Sequence, residues 1–142
     1  MIKRNGSAAW SGGLKDGKGS VSVQSGVLKD TPYGFNTRFE DGPGTNPEEL
    51  IAAAHAGCFT MALSAQLGEA GMTAKSLKTT ATVSLDKVEG GFSITAVHLN
   101  LVANIPGATQ EAFEAAARKA KEGCPVSKLL NAAITLDARL EA

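Results

Sequence analysis

Three features predict a mixed α/β (α+β) fold. A stretch from Leu50 to Gly68 carries no Asp, Glu, Lys or Arg, although 20% of the 142 residues are charged. A helix uncharged on every face is expected to be buried on every face. Farther along, Leu77, Thr79, Ala81, Val83 and Leu85 alternate with Lys78, Thr80, Thr82, Ser84 and Asp86, the period of a half-buried strand. A third segment, Gln110 to Glu122, sets Ala112, Phe113, Ala116, Ala117 and Ala120 on one helical face. A chain of this length is most simply one domain, residues 1–142, able to bury about 68% of its unfolded surface.

Taken in order, the first forty-five residues read as short strands between glycine turns. The candidates are Ala8 to Trp10, Gly19 to Ser25 and Phe35 to Phe39. Gly12-Gly13, Asp16-Gly17 and the segment Asp30 to Gly34 are read as the turns between them. Trp10 is the single tryptophan, expected in the core or as a lid. Arg38 alternates with Thr37 and Phe39 in the third strand, ahead of a Gly42-Pro43-Gly44 turn. A strand arginine is commonly a solvated edge residue. Its place on the segment that enters the uncharged helix keeps a role near that helix open. The helix itself has a marked start: Asn46 as N-cap, Pro47 in the first position, and Glu48 and Glu49 where the dipole favours negative charge.

The strand from Leu77 turns at Glu89-Gly90-Gly91 into Phe92 to Val102, a long antiparallel hairpin. His98 has no acidic or cysteine neighbour along that strand and reads as structural. Thr109 caps the third-segment helix, which Gly123 ends. Cys124-Pro125 then opens a short helix, Val126 to Asn131, and a strand from Ile134 to Leu140 follows.

Charge and cysteine usage narrow the functional classes. Net charge is zero and the pI is about 6.7, so nothing points to a nucleic-acid or anionic-membrane partner. The opening residues lack an apolar run of signal-peptide length. The uncharged stretch contains His55, Thr60, Ser64 and Gln66 among alanines, a poor spanning composition. A soluble, cytoplasmic protein is expected, where two cysteines point to redox or metal chemistry rather than a disulfide scaffold.

The chemistry falls to Cys58, Cys124, Arg38, Glu48 and His55. Buried free cysteine is commonly just a small core residue, and that reading competes at Cys58. Cys124 stands at a helix N-terminus, where free N–H groups and the dipole stabilise a thiolate. Two such cysteines suit a thiol peroxidase, in which one thiolate cleaves an O–O bond and the other resolves the sulfenic acid. An arginine would favour the thiolate, and a carboxylate would orient that arginine. The competing reading is a metal site from His55, Cys58 and Cys124, weakly signalled because no C-x-x-C pair is present. A metal- or small-ligand-binding stress protein is thus the alternative. His55 reads more simply as a buried, hydrogen-bonded helix residue.

The motifs PYGFNTRFE (Pro32 to Glu40), GTNPEELIAAAHAGCF (Gly44 to Phe59), VSLDKV (Val83 to Val88), GCPVS (Gly123 to Ser127) and ITLD (Ile134 to Asp137) extend across the chain. In these the sequence resembles the OsmC/organic hydroperoxide resistance (Ohr) family. The resemblance implies two curved, mostly antiparallel sheets around central buried helices, in an intertwined homodimer. It also implies a cysteine-based peroxidase acting on organic hydroperoxides and, less well, on hydrogen peroxide. The peroxidatic cysteine would fall on Cys58, the resolving cysteine on Cys124, and the activating arginine with its carboxylate on Arg38 and Glu48. No cofactor or metal is implied; the reductant would be an external dithiol, lipoyl or thioredoxin-like. Glu48 and Cys58 are ten residues apart, about 15 Å along a straight helix. Either that helix breaks, or Arg38 and Glu48 serve the thiol of a second subunit.

Overall fold

A computed structural model describes residues 1–141. The chain divides into two compact units, Met1–Leu50 and the residues from Ile51 onward.

The first unit holds an antiparallel three-stranded sheet in the order β1-β2-β3, formed by β1 (Gly6–Ser11), β2 (Lys18–Val23) and β3 (Thr31–Tyr33). β3 lies in the segment expected to be a turn. Pro32 is accommodated because β3 is an edge strand, where a missing N–H breaks no inner ladder. Trp10 is 41% exposed rather than core, its ring tilted against Tyr33 with centroids 5.7 Å apart.

The expected strand Phe35 to Phe39 is instead a helix, α1 (Phe35–Phe39). Two local interactions override the alternating pattern. The Gly34 N–H donates to Thr37 Oγ1 at 2.8 Å, and that hydroxyl donates back to the Gly34 carbonyl at 3.0 Å. Phe35 and Phe39, four residues apart, bring their rings to 5.0 Å, a contact that only a helix supplies. Gly44 then turns the chain at φ +131°, and a Cβ there would lie 2.5 Å from the Pro32 carbonyl oxygen. Glycine is required by both its backbone and its neighbour.

α2 (Pro47–Glu69) begins as the sequence indicates. Asn46 Oδ1 accepts from the Glu49 N–H at 2.8 Å, while Asn46 Nδ2 donates to the Thr37 carbonyl at 3.0 Å. One asparagine therefore caps α2 and ties its start to α1. The helix runs unbroken to Glu69. By length and hydropathy, with a mean of 1.4 over its most apolar window, it could cross a membrane. Within the chain it lays a single stripe, His55, Phe59, Leu63 and Leu67, into the interior. The chain by itself does not cover the other faces: Ala53, Ala54, Gly57, Met61, Ser64 and Ala65 are exposed.

The second unit contains the order β4-β5-β6: β4 (Ser76–Val88), β5 (Gly91–Asn104) and β6 (Ala133–Glu141). β4 and β5 form the expected hairpin, and Gly90 at φ +90° allows its two-residue turn. β6 pairs parallel to β5, which requires a crossover. That crossover carries α3 (Gln110–Gly123) and α4 (Pro125–Leu129). Thr109 Oγ1 caps α3 by accepting the Ala112 N–H at 3.1 Å, and α4 is shorter than expected because Leu130 already turns extended. Phe59, Leu63 and Leu67 pack with Val97, Leu99 and Leu101 of β5 and with Phe113 of α3 into one core. Each such large side chain contributes about 1.5–3 kcal/mol by its burial.

Candidate functional site

Cys58 sits in the middle of α2, half-buried; Cys124 is fully buried between α3 and α4. Cys124 serves as the C-cap of α3, its N–H donating to the Ala120 carbonyl, and as the N-cap of α4 with Pro125 behind it. Fixed at both ends in this way, its side chain is delivered onto α2. The Cys124 thiol donates to Cys58 Sγ, with the sulfurs 2.8 Å apart and both free. A disulfide has sulfurs about 2.05 Å apart, so closing the bond needs a movement of less than about 1 Å.

The sulfur at the mouth of α4 is Cys58, not the capping residue. Cys124 makes no side-chain cap, and the Val126 N–H is directed at the Cys58 sulfur. The expectation that the helix N-terminus serves the Cys124 thiolate is therefore corrected: the donor favours charge on Cys58. Burial outweighs it. Burial first, then the hydrogen bond from Cys124, push the Cys58 thiol above its ordinary range, against the lowering by Val126. A thiolate at this position needs a further positive charge.

Arg38 and Glu48 form the matching pair in the first unit. Arg38 Nε reaches Glu48 Oε1 at 3.0 Å and its Nη2 reaches Oε2 at 3.0 Å, a two-pronged grip that fixes the plane of the guanidinium. Asn46 and Thr37, joined as described above, hold the two helix segments that carry the pair. Arg38 is thus a held cation on a helix rather than a strand-edge residue.

His55 is buried, as expected, and its Nε2 lies 2.7 Å from Ser127 Oγ. Its Nδ1 is buried without a hydrogen-bond partner. Burial lowers its pKa below the ordinary histidine value of 6.5. Among the described residues no group of three His, Cys, Asp or Glu side chains is arranged to hold a metal ion, which disfavours the metal reading of His55, Cys58 and Cys124. His98, read from the sequence as structural, has partners that its own strand does not show. The parallel register sets it beside β6, so Nε2 lies 3.2 Å from Asp137 Oδ2 and Nδ1 lies 2.6 Å from Thr135 Oγ1. Both partners are close to forty residues downstream, beyond the reach of a local search. The missed Ser127 carried a signal, being three residues past Cys124 as His55 is three before Cys58.

The His55 pKa has a consequence for stability. Below about pH 6.5 the unfolded chain takes up a proton at His55 that the folded chain refuses, so stability falls with pH across that window. His55→Phe removes this component. Urea midpoints measured near pH 7 and near pH 5 are expected to differ less in the variant than in the wild type; an equal difference contradicts a neutral buried imidazole.

Comparison with known proteins shows the family. The family model described as "OsmC-like protein" matches residues 40–139. The chain is 57% identical over 141 residues to "Peroxiredoxin OsmC" of Escherichia coli (strain K12), covering 99% of each. It is 32% identical to "Organic hydroperoxide resistance protein OhrB" of Bacillus subtilis (strain 168), covering 87% of this chain and 88% of that one. Among solved structures, an organic hydroperoxide resistance protein from Elizabethkingia anophelis superposes with a TM-score of 0.75 at 27% identity, covering 99% of this chain and 98% of that one. The α+β architecture, the two adjacent sulfurs and these matches together place the chain in the OsmC-like family, as a cysteine-based peroxidase.

Proposed function

We propose that this thiol-dependent peroxidase uses Cys58 as the attacking sulfur and Cys124 as the resolving one. The observation that carries the assignment is the sulfur pair itself: two free thiols 2.8 Å apart, of which Cys58 is partly open to solvent and Cys124 is not. A peroxide can meet only the open sulfur. The Cys58 thiolate attacks the terminal peroxide oxygen, forming an S–O bond and breaking the O–O bond. The alkoxide takes a proton and leaves as alcohol. Cys124 then displaces the oxygen as water, forming the Cys58–Cys124 disulfide. An external dithiol, lipoyl or thioredoxin-like, restores both thiols. Organic hydroperoxides are the preferred substrates in this reading, in line with the similarity to an organic hydroperoxide resistance protein of Bacillus subtilis. We place the protein in the cytoplasm, where both thiols remain reduced between turnovers.

Arg38 supplies the missing positive charge and Glu48 orients it. α2 is unbroken between Glu48 and Cys58, so the pair and the thiol stay about ten residues of helix apart along one chain. The reading that meets this constraint is a homodimer in which Arg38 and Glu48 serve the Cys58 of a second copy. The exposed, uncharged face of α2 supports it. Met61 is 77% exposed, and Ala56, Gly57 and Thr60 line an open groove of about 640 Å³ beside β4. Small residues on such a face permit close helix approach.

Three experiments test this. Cys58→Ser is expected to abolish hydroperoxide consumption, whereas Cys124→Ser consumes about one equivalent per chain and stalls. Reversed behaviour would exchange the two roles. Arg38→Ala is expected to move the alkylation of Cys58 to higher pH. Mixing Cys58→Ser chains with Arg38→Ala chains restores one working site per heterodimer if the site is shared. A monomer on sedimentation that retains activity, or verified mixing without recovery, overturns the shared site.

A further inference from the structure

The sulfur contact is one of two side-chain links between α2 and α4. The other joins His55 Nε2 to Ser127 Oγ at 2.7 Å. The two links are laid out as rungs of a ladder. His55 precedes Cys58 by three residues, and Ser127 follows Cys124 by three, so each helix offers one sulfur and one polar group about a turn apart. Beside these two, the Val126 N–H of α4 is directed at the Cys58 sulfur. The rest of the hold on α4 is the packing of Val126 against the core; none of its five residues is fully buried and Leu129 is 77% exposed.

The imidazole is an unfavourable choice for filling space. It is fully buried, and one of its two nitrogens has no hydrogen-bond partner. A buried polar atom left unpaired destabilises the fold, and a phenyl ring of similar size would avoid the loss. What the imidazole provides and a phenyl ring does not is the rung to Ser127.

That rung has a use at one point in the catalytic cycle. When Cys58 becomes a sulfenic acid, an oxygen is added to the sulfur that had accepted the Cys124 thiol, and the sulfur rung in its reduced form is gone. The link between two side chains that then remains from α4 to α2 is the one through Ser127. We infer that His55 is a positioning residue for disulfide closure, keeping α4 docked through Ser127 so that Cys124 stays within reach of the oxidised Cys58. The step itself forms the S–S bond, breaks the Cys58 S–O bond and releases water, with the Cys124 proton leaving on the oxygen. His55 exchanges no proton in it. The inference rests on the roles assigned above to Cys58 and Cys124.

The test follows the fate of the sulfenic acid within a single turnover. Reduced protein receives one equivalent of cumene hydroperoxide in the presence of dimedone, and peptide mass spectrometry gives the ratio of dimedone-trapped Cys58 to Cys58–Cys124 disulfide. This ratio reports closure independently of how fast the O–O bond is cleaved. His55→Phe is expected to raise it about three- to tenfold, the loss of one hydrogen bond expressed as a rate. Ser127→Ala is expected to do the same, and the double variant no more than either single one. His55→Gln, whose amide reaches to the level of Nε2, returns the ratio toward wild type, whereas His55→Asn does not. Ser127 is only half-buried, so Ser127→Ala keeps the question open to test should His55→Phe fold poorly. An unchanged ratio in Ser127→Ala, or in a folded His55→Phe, overturns the inference and leaves the cysteine roles intact. A wild-type chain that yields neither adduct nor disulfide at Cys58 overturns the roles, and the inference with them.

Discussion

The structure depends on one long-range constraint: residue 124 must be brought onto residue 58, sixty-six positions away in sequence. Parallel pairing of β6 with β5 meets that constraint. Parallel strands cannot be joined by a tight turn, so the chain between them has to cross back, and here it does so as α3 and α4. The junction of those two helices is a single residue, Cys124, capping one and starting the other. Phe113, Ala116, Ala117 and Ala120 anchor α3 in the same core as Phe59 and Leu63 of α2. Packing thus sets the sulfur separation, and the hydrophobic effect does the positioning that the redox chemistry uses.

The same packing works against the chemistry. Burial favours the neutral thiol, and Cys58 is pushed upward by it. The fold offers one local remedy, the Val126 N–H at the start of α4, which one amide dipole makes too weak to prevail. A held cation is the stronger remedy, and Arg38 with its two-pronged Glu48 is the prepared candidate. The helix leaves a charge-free face uncovered within its own chain, and in the homodimer we propose a second copy would serve both that face and the thiol that needs a cation.

Much of this was legible in the sequence because it is local. Asn46, Thr109 and the Glu89-Gly90-Gly91 turn announce their elements through their own chemistry, and the structure places α2, α3 and the β4–β5 hairpin where those residues indicate. The misreadings have a common physical cause. Phe35 to Phe39 alternates like a strand, but two aromatic rings and one threonine hydroxyl decide five residues in favour of a helix. β3 hides in a proline-containing segment because an edge strand tolerates what an inner one does not. Burial of α2 on every face was inferred from composition, which cannot tell a core within one chain from a face awaiting a partner. The family resemblance named the four candidate site residues. The link from His55 to Ser127 and the contact of His98 with Asp137 depend on tertiary register, which no local pattern reveals.

The central claim is that the two adjacent sulfurs form one redox couple. The most direct measurement is a count of free thiols per chain before and after one equivalent of cumene hydroperoxide, with a peptide map of the product and a parallel sample containing a chelator. The account predicts the loss of both thiols, their appearance as a single Cys58–Cys124 linkage, and no effect of the chelator. Retention of both thiols, or linkage of either cysteine between chains in place of the intramolecular bond, would contradict it.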